Sequence, residues 1–352
     1  MKYFNNIIKL DCYKILKNVN CKLLKNKKIL ILGANGFLAS IIQSTLITSN
    51  KINNSNCKII SVSQREPYGI LKELISFSRE IKFIKKDLSQ TKNLKFLDKL
   101  KFDFIFHCAT YGQPSKWMQQ GIKTISLNTG TLKYLLDKAT KDKSKIMFFS
   151  SVDVYGELKN KKQPVDEYFQ PEFKNMNRIP YKFSKLVGEE LCNLYKKEYK
   201  TKVYIIRAAH TYGPGQGLND KRAICDFLRG AIFKKKIKLR DQGKSIKTWG
   251  YVSDVVTMFF NIMLNGKSLT YNTVGNDYQS IKKVAKTISK SLPNVKLEIP
   301  KKDIINFKFG KDPKYQIFKA KNYNREFKKY PQVAIQEGIQ RLVDWNLITL
   351  GK

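Results

Sequence analysis

Two residues capable of proton transfer stand four positions apart in the segment Tyr181-Lys182-Phe183-Ser184-Lys185. In a helix this spacing places the phenol of Tyr181 and the ammonium of Lys185 on one face. A nearby ammonium favours the phenolate and lowers a tyrosine pKa that is ordinarily about 10. Such a tyrosine could exchange a proton with a sugar or alcohol hydroxyl while a hydride moves to or from a nicotinamide.

Three further polar residues are candidates for the same site. Ser151 and Asp153 follow the apolar segment 145–150, thirty residues before the tyrosine, and Ser151 could hydrogen-bond the same substrate hydroxyl. Asp153 could act as an acid or base close to it. His210 titrates near neutral pH and could carry a proton or bind a phosphate, or it could be a hydrogen-bonded structural residue.

A glycine-rich turn comes directly after the apolar segment Lys28–Leu32 and opens a predicted helix. A glycine at 33 permits a tight turn, one at 36 lets a pyrophosphate approach the backbone, and a small residue at 39 lets the helix pack closely. The helix N-terminus then faces the phosphates. A plain strand-to-helix turn could also use these glycines, but we expect a dinucleotide site with contacts from Gly33, Asn35, Gly36, Phe37 and Leu38.

The ends of the second and third predicted strands should contact the adenosine half of such a dinucleotide. An acidic residue after the second strand would bind the ribose 2′-hydroxyl, but none is present. Ser63 takes its place and Arg65 follows, which leans slightly towards NADP because arginine can pair with a 2′-phosphate. Asp87, followed by Leu88, could accept from the adenine amine or could cap a turn.

Apolar segments that predict strands alternate with helical patterns between residues 27 and 210. The strands are predicted at Lys28–Leu32, Lys58–Val62, Ile81–Ile84, Phe102–His107, Lys145–Ser150 and Val203–Arg207. The helices are predicted at Phe37–Ser49, Leu71–Glu80, Ile122–Ala139 and Tyr181–Tyr199. This alternation predicts an α/β fold with a doubly wound parallel sheet that is covered by helices on both faces.

The pattern divides the chain into three parts. Residues 1–26 carry apolar residues at helical spacing and predict an N-terminal helical extension. Residues 27–210 form the predicted dinucleotide-binding domain. In residues 211–352 the alternation becomes irregular, and we expect a smaller substrate-binding region that is interleaved with the first domain.

Cysteine and histidine usage limits the class of protein. Six scattered cysteines include no C-x-x-C pair, and the only histidines are His107 and His210, so no metal site is expected. Reduced thiols of this kind are typical of cytoplasmic proteins. No apolar run reaches the roughly 18 residues of a membrane-spanning helix, and the polar start does not resemble a secretory signal.

The net charge of +39 over 352 residues would fit a nucleic-acid-binding protein. Only nine of the 67 basic residues are arginine, although base readout and bidentate phosphate contacts favour arginine. The lysines are spread along the chain, which favours solvated faces, and part of their charge could steer anionic substrates. We therefore expect no specific nucleic-acid binding and keep a non-catalytic or nucleic-acid-associated protein on the same fold as the alternative of another class.

Together these segments resemble the extended short-chain dehydrogenase/reductase family, in the branch that modifies nucleotide sugars. Further segments that resemble it are Phe106-His107-Cys108-Ala109, Asn128-Thr129-Gly130-Thr131, Tyr212-Gly213-Pro214-Gly215 and Tyr251-Val252-Ser253-Asp254-Val255. The resemblance covers nearly the whole chain after residue 26. It implies a Rossmann-type sheet, NAD or NADP as the cofactor, and a homodimer paired through the helices near 122–139 and 181–199.

The resemblance also implies roles for individual residues. Tyr181 would be the acid/base, Lys185 would hold the cofactor ribose and lower the tyrosine pKa, and Ser151 would orient the substrate hydroxyl. Ala109 would lie beside the nicotinamide ribose, and Asn128, in the segment that resembles the family's helix-four motif, would also bind the cofactor. The implied chemistry is hydride exchange at C4 of a sugar, which gives a 4-keto species.

Departures from the family pattern bear on the reaction. The segments 118–124 and 219–222 look most like UDP-glucuronate decarboxylases, but these carry glutamate where Asp153 stands. The 4,6-dehydratases use an adjacent Asp-Glu pair, and the chain has Val152 before Asp153, so dehydration is not expected. His210 replaces the family's asparagine.

The expected diphosphate contacts also differ. Lys247 stands where relatives have arginine, and the segment Asp312–Gln316 lacks the late arginine of the decarboxylases. Arg222 remains as a diphosphate contact. We expect an enzyme acting at C4 of a nucleotide sugar, as an epimerase, 4-dehydrogenase or 4-ketoreductase, that supplies precursors of capsule, lipopolysaccharide or another surface polysaccharide. A UDP-glucuronate decarboxylase is the alternative reaction.

Overall fold

The computed structural model describes residues 1–112, 114–156, 158, 164–170, 179–302, 314–330 and 332–352. The strands are β1 Lys28–Leu32, β2 Lys58–Ser63, β3 Ile81–Lys85, β4 Phe104–His107, β5 Lys145–Ser151, β6 Lys202–Ala208, β7 His210–Tyr212, β8 Lys236–Lys238, β9 Ile246–Tyr251, β10 Thr270–Thr273, β11 Asp277–Ser280, β12 Lys296–Glu298 and β13 Tyr315–Gln316. The α-helices are α1 Asn6–Lys17, α2 Phe37–Asn53, α3 Gly69–Phe77, α4 Pro114–Gln119, α5 Gly121–Asn128, α6 Gly130–Asp142, α7 Ile179–Tyr199, α8 Ala223–Lys234, α9 Val252–Asn265, α10 Ile281–Lys290, α11 Lys321–Glu326 and α12 Ile335–Leu350. Short 3₁₀ helices cover Cys21–Leu24, Thr91–Leu97 and Val152–Tyr155.

Seven parallel strands form the central sheet, in the order β10-β6-β5-β4-β1-β2-β3. This order confirms the predicted doubly wound α/β fold of Rossmann type. The winding reverses between β1 and β4, which are neighbours, so the loops after these two strands diverge and leave a crevice. Ligands of open α/β sheets bind in such crevices, at the carboxyl ends of the strands.

Both faces of the sheet are covered by apolar side chains. In β1, Leu30 and Leu32 pack into the core on one face, and Ile29 and Ile31 pack into the core on the other. A strand buried on both faces needs a continuous apolar run rather than an alternating one. This requirement explains why the sequence pattern located β1 without error.

The helix predicted over Ile122–Ala139 is two helices, and this part of the prediction was wrong. The backbone breaks at Thr129, where φ is −122° and ψ is −75°, so α5 ends at Asn128 and α6 begins at Gly130. The Thr129 hydroxyl donates to the Ile125 carbonyl at 2.8 Å, which satisfies an acceptor in the last turn of α5. Apolar spacing continues through the break and therefore concealed it.

The C-terminal part of the chain contributes to the central sheet as well as to a second one. Strand β10 pairs with β6 and so completes the central sheet. In the second sheet β9 pairs with β11 on one side and with β7 and β13 on the other. Strands β8 and β12 form a separate parallel pair. The division into a 27–210 domain and a 211–352 region stays a prediction.

The first residues form a helix that packs on both parts of the chain. Asn5 caps α1 by accepting from the amide of Ile7 at 3.1 Å. The helix then packs against α2 and α9, and its Lys14 forms an ion pair with Asp254 at 2.7 Å. Within the described ranges, no helix has the length and apolar character needed to cross a membrane.

Candidate active site

A cleft of about 1760 Å³ opens at the carboxyl ends of the central strands. Sixteen residues singled out by the sequence line it: Gly33, Asn35, Gly36, Phe37, Leu38, Ser63, Arg65, Asp87, Leu88, Ala109, Ser151, Asp153, Tyr181, His210, Arg222 and Lys247. Asn128 and Lys185 are buried outside this lining. Asp312 and Pro313 lie outside the described residues, and no cluster of metal-ligating side chains occurs among the residues that are described.

The glycine-rich turn at the start of the cleft has the geometry of a phosphate cradle. Gly33 has a φ of +78°, and a Cβ atom there would lie 2.7 Å from the Cα atom of Ala109. Gly36 is exposed and begins α2 as its N-cap residue. A phosphate could therefore approach the free amides at the helix start without meeting a side chain at 36.

Asn35 ties this turn to the loop after β2. Its side-chain amide donates to the carbonyl oxygens of Arg65 and Glu66, at 2.9 and 3.0 Å, and lies 3.3 Å from the Ser63 hydroxyl. The Tyr68 amide donates back to the Asn35 side chain at 3.3 Å. The asparagine thus fixes the loop that carries Ser63 and Arg65.

Asp87 is held in one position by several donors. Its carboxylate accepts from the amide and hydroxyl of Ser89, from Gln64 at 3.2 Å and from Lys123 at 3.1 Å. Partial burial raises the pKa of Asp87, but the Ser89 hydrogen bonds and the Lys123 ammonium outweigh burial and hold it below its usual value. The group is therefore a carboxylate acceptor at neutral pH.

Tyr181 and Lys185 lie in the first turns of α7, as the spacing predicted. Lys185 is 1% exposed, and its ammonium donates to Asn128 Oδ1 at 2.8 Å and to the Phe149 carbonyl at 2.5 Å. The same nitrogen lies 5.7 Å from the centre of the Tyr181 ring. Burial lowers the pKa of Lys185 to about 7, although the Glu189 carboxylate partly offsets it.

Ser151 and Asp153 are set by a short 3₁₀ helix at the end of β5. The Ser151 hydroxyl oxygen accepts from the Asp153 amide at 3.1 Å and so caps that helix. The hydroxyl hydrogen stays available for an acceptor. Both side chains are partly exposed and line the cleft, Ser151 at the end of β5 and Asp153 in the 3₁₀ helix that follows it.

The cleft is also lined by Arg222, His210 and Lys247. Arg222 pairs with Asp220, with a Nε–Oδ2 distance of 2.9 Å, so this cation has a fixed direction. His210 lies next to Trp249, with ring centres 5.7 Å apart. Lys247 is buried in β9, two residues before Trp249.

Residues 29–274 match the model of the NAD dependent epimerase/dehydratase family. The chain belongs to this family. Human dTDP-D-glucose 4,6-dehydratase is 24% identical over 91% of this chain and 89% of its own length. UDP-glucuronic acid decarboxylase 3 of Arabidopsis thaliana is 27% identical over 78% of this chain and 77% of its own.

Solved structures of other proteins share the fold. UDP-glucose 4-epimerase of Thermotoga maritima has a TM-score of 0.77 at 20% identity and covers 92% of this chain and 99% of its own. UDP-glucuronic acid 4-epimerase of Bacillus cereus, in complex with UDP-glucuronic acid and NAD, has a TM-score of 0.73 at 21% identity, with 92% and 100% covered. As a member of the NAD dependent epimerase/dehydratase family, the chain is an enzyme.

The residues present fit the dinucleotide that gives the family its name. The Gly33 turn leaves no space for a side chain and presents the start of α2, as a pyrophosphate site requires. Asp87 offers a fixed carboxylate beyond β3. The chain departs from the NAD pattern at Ser63, where the usual acidic ribose ligand is missing.

Sequence reasoning missed two features of the site. Trp117 of α4 is 4% exposed and stacks on Tyr181, with ring centres 6.1 Å apart and an angle of 23° between the planes. Behind Lys185, Glu189 accepts from Arg207 and from the Ser150 hydroxyl. A lone tryptophan carries no signal of its contacts, but Glu189 could have been found as the residue one helical turn after Lys185.

Proposed function

We propose that the protein uses NAD or NADP to oxidise or reduce C4 of a nucleotide sugar, as an epimerase, 4-dehydrogenase or 4-ketoreductase. The observation that carries this proposal is the pair formed by Tyr181 at the cleft and Lys185 directly beneath it. Ser151 lines the same cleft at the end of β5, which neighbours β4, one of the two strands of the switch point where dinucleotides bind. A role in supplying surface polysaccharides and a cytoplasmic location stay predictions.

Tyr181 would take the proton from the C4 hydroxyl during oxidation and return it during reduction. The buried ammonium of Lys185 favours the phenolate electrostatically, because little solvent screens the two groups. Ser151 would donate its hydroxyl hydrogen to the sugar oxygen and so hold C4 in place. The bound nicotinamide supplies or accepts the hydride.

Arg222 and Lys247 would bind the diphosphate of the substrate. Arg222 is oriented by Asp220, and its guanidinium also lies 6.0 Å from the Phe37 ring centre, near the start of α2. His210 and Asp153 line the same cleft as these cations and Tyr181. They would contact the sugar and act as additional proton carriers.

Ser63 and Arg65 favour NADP over NAD in this proposal. The Arg65 guanidinium is exposed and lies 5.2 Å from the Tyr68 ring centre, so it is placed at the loop that follows β2. A 2′-phosphate there would gain a cation and meet no carboxylate at 63. Calorimetric titration with NAD and NADP should show tighter binding of NADP, and Arg65→Ala should remove the difference.

The protein would form a homodimer through α5 and α7. Both helices carry large apolar side chains on an exposed face, and Ile122 is 84% exposed. The others are Ile125, Phe183, Val187 and Leu194. Light scattering after gel filtration should give twice the chain mass, and Val187→Glu should give a monomer. Ile52→Glu, at an exposed position of α2, is the control and should stay dimeric.

A substrate panel tests the proposed reaction. The protein is incubated with NAD or NADP and with UDP-glucose, UDP-glucuronic acid, UDP-N-acetylglucosamine, dTDP-glucose or ADP-heptose, and products are identified by mass spectrometry and NMR. We expect a C4 epimer or a 4-keto sugar. Tyr181→Phe should abolish turnover and leave cofactor affinity within about threefold. An unchanged rate in that variant would rule out the mechanism.

UDP-glucuronate decarboxylation is the second candidate, because two of the relatives found by sequence similarity are UDP-glucuronic acid decarboxylases. Xenopus tropicalis UDP-glucuronic acid decarboxylase 1 is 28% identical over 54% of this chain and 45% of its own length. Asp153 would then act where decarboxylases use glutamate. Release of carbon dioxide from UDP-glucuronic acid in the same panel would favour this reaction over C4 epimerisation.

A further inference from the structure

A continuous series of buried hydrogen bonds lies beneath Tyr181. The Lys185 ammonium donates to Asn128 Oδ1 at 2.8 Å, and Asn128 Nδ2 donates to the Ser184 hydroxyl at 2.9 Å. The Ser184 hydroxyl in turn donates to the backbone carbonyl of Tyr181 at 2.8 Å. The side chains of Asn128, Ser184 and Lys185 are all at most 2% exposed, so water does not compete for these contacts.

Ser184 determines which end of the Asn128 amide faces the lysine. The serine has one hydrogen, and it is used on the Tyr181 carbonyl, so the oxygen can only accept from Asn128. The NH₂ end of the amide must therefore face Ser184, and the oxygen must face Lys185. The reverse orientation would point two N–H groups at an ammonium and leave the amide oxygen without a donor in a buried site, which is costly.

The oriented amide fixes the direction of the ammonium. An ammonium has three hydrogens, and two are directed to Asn128 Oδ1 and to the Phe149 carbonyl. The remaining hydrogen is the one available for Tyr181 or for a ligand in the cleft. If the amide turned, the lysine would lose one acceptor and this constraint on its direction.

We propose that Ser184 is a positioning residue for proton transfer: it orients Asn128, which in turn holds Lys185 beneath Tyr181. This inference rests on the proposed function, in which Tyr181 moves the proton. Ser184 itself would touch neither the substrate nor the cofactor. Its contribution should therefore disappear when Asn128 is removed.

The other ionisable groups around Lys185 allow the pH dependence to be interpreted. They are Glu189 and Cys192 on α7, His107 of β4 and Cys108 directly after it. His107 donates from Nε2 to the Leu127 carbonyl at 2.8 Å, and burial lowers its pKa to about 3, so it is neutral. Burial raises the pKa of both thiols, and the Glu189 carboxylate is paired with Arg207. Among the groups around Lys185, this leaves Lys185 itself, whose pKa burial lowers to about 7, and Tyr181 as the two that the pH profile follows.

The test compares Ser184→Ala, Asn128→Ala and the double variant with the wild type, using the substrate of the panel that turns over. Ser184→Ala should lower kcat/KM about tenfold and move the rising limb of its pH profile to higher pH, because the phenolate loses the aligned ammonium. Adding Ser184→Ala to Asn128→Ala should cause less than a twofold further loss. Ser184→Thr keeps the hydroxyl and should restore most of the rate.

Ser144→Ala is the matched control. Ser144 is also buried, and its hydroxyl donates to the Phe102 carbonyl at 2.7 Å, away from the cleft. It should lose a similar amount of stability and keep the wild-type pH profile. A second readout uses no substrate: ultraviolet difference titration against the same protein with Tyr181→Phe follows the ionisation of this one phenol, which should occur at higher pH in Ser184→Ala.

The outcomes separate the two proposals. A wild-type pH profile and phenol titration in Ser184→Ala would overturn the positioning role, as would additive losses in the double variant. If Tyr181→Phe kept full activity, the proposed function would fail instead, whatever Ser184→Ala did. A rate loss in Ser144→Ala equal to that in Ser184→Ala would show a general effect of stability and would also overturn the positioning role.

Discussion

At the scale of single residues, Gly33 joins the dinucleotide turn to the sheet. Its positive φ is unfavourable for any residue with a Cβ atom, and a Cβ atom would also meet the backbone of Cys108 and Ala109 within 2.9 Å. We predict that Gly33→Ala destabilises the protein by about 2–4 kcal/mol and weakens cofactor binding at least tenfold. Urea unfolding and calorimetric titration measure the two effects.

Gly351→Ala is a control that distinguishes the effect of a positive φ from the effect of a Cβ atom that meets its neighbours. Gly351 has a φ of +74°, close to that of Gly33, but no atom lies within 4 Å of its Cβ position. Gly351→Ala should therefore cost only about 1 kcal/mol, which is the backbone contribution alone. Equal losses in the two variants would show that the close approach at Ala109 contributes nothing.

The contact of Trp117 with Tyr181 was not predicted from the sequence and is known only from the structure. The Trp117 ring stacks on Tyr181 and limits the positions that the phenol can take. Trp117→Ala should lower kcat about tenfold, and Trp117→Phe, which retains an aromatic ring, should lose less than threefold. Equal rates for Trp117→Ala and the wild type would contradict this prediction. Trp249→Phe, which changes a cleft-lining tryptophan that lies next to His210, is the control for general changes in the site.

At the scale of elements, α1 is held by charged groups in the interior. Asp11 is fully buried, accepts from the Tyr251 hydroxyl at 2.7 Å and pairs with Arg341 at 2.9 Å. Its neighbour Lys14 pairs with Asp254. The Tyr251 and Asp254 side chains that mark the family segment are thus used to bind the N-terminal helix.

The Asp11 contact predicts a pH-dependent stability. Burial raises the pKa of Asp11 from 3.8, the ordinary value for an aspartate, to about 6. The folded protein therefore binds a proton that the unfolded chain has lost between these values, and this contribution to stability falls as pH rises from about 4 to 6. Relative to Asp11→Asn, the wild type should lose on the order of 1–3 kcal/mol between pH 4.5 and 7.

Glu337→Gln is the control for this experiment. Glu337 pairs with the same Arg341, but its side chain is 53% exposed. The difference in unfolding free energy between this variant and the wild type should hardly change with pH. If the Asp11→Asn difference were equally constant, the buried carboxyl would not be the group responsible.

The elements differ in how far the sequence could predict them. The strands β1, β4, β5 and β6 contain continuous apolar runs, and the Tyr181–Lys185 spacing placed both residues correctly on α7. The pattern could not locate the break at Thr129, because apolar spacing continues across it. It also could not find β10, whose residues Thr270–Thr273 become buried only by pairing with β6.

The same distinction holds for the candidate site. Residue types and spacing placed sixteen of its members along one cleft, because the loops after parallel strands converge at one edge. Contacts between segments that are distant in the chain could not be predicted, because no local sequence pattern indicates them. Neither the link between Asn128 and Ser184, 56 residues apart, nor the stack of Trp117 on Tyr181 leaves a periodic signal.

At the scale of the whole molecule, the charge of +39 predicts weak and nonspecific binding to polyanions. Fluorescence anisotropy with unrelated DNA duplexes should show binding at about 50 mM salt that decreases at least a hundredfold by about 200 mM, without sequence preference. The turnover of a nucleotide sugar should decrease much less over this range, because its cations are partly buried in the cleft. Binding that depends on sequence at about 150 mM salt would contradict the proposal.

The position of α1 has a consequence for folding. The partners of its residues 11 and 14 lie 240 and 330 positions further along the chain. The contacts of α1 with α2 can form early in folding, whereas its bonds to Tyr251, Asp254 and Arg341 have to wait until α9 and α12 are in place. The burial of the Asp11 carboxyl against Tyr251 and Arg341 should accordingly be a late step of folding, which follows the packing of α1 on α2.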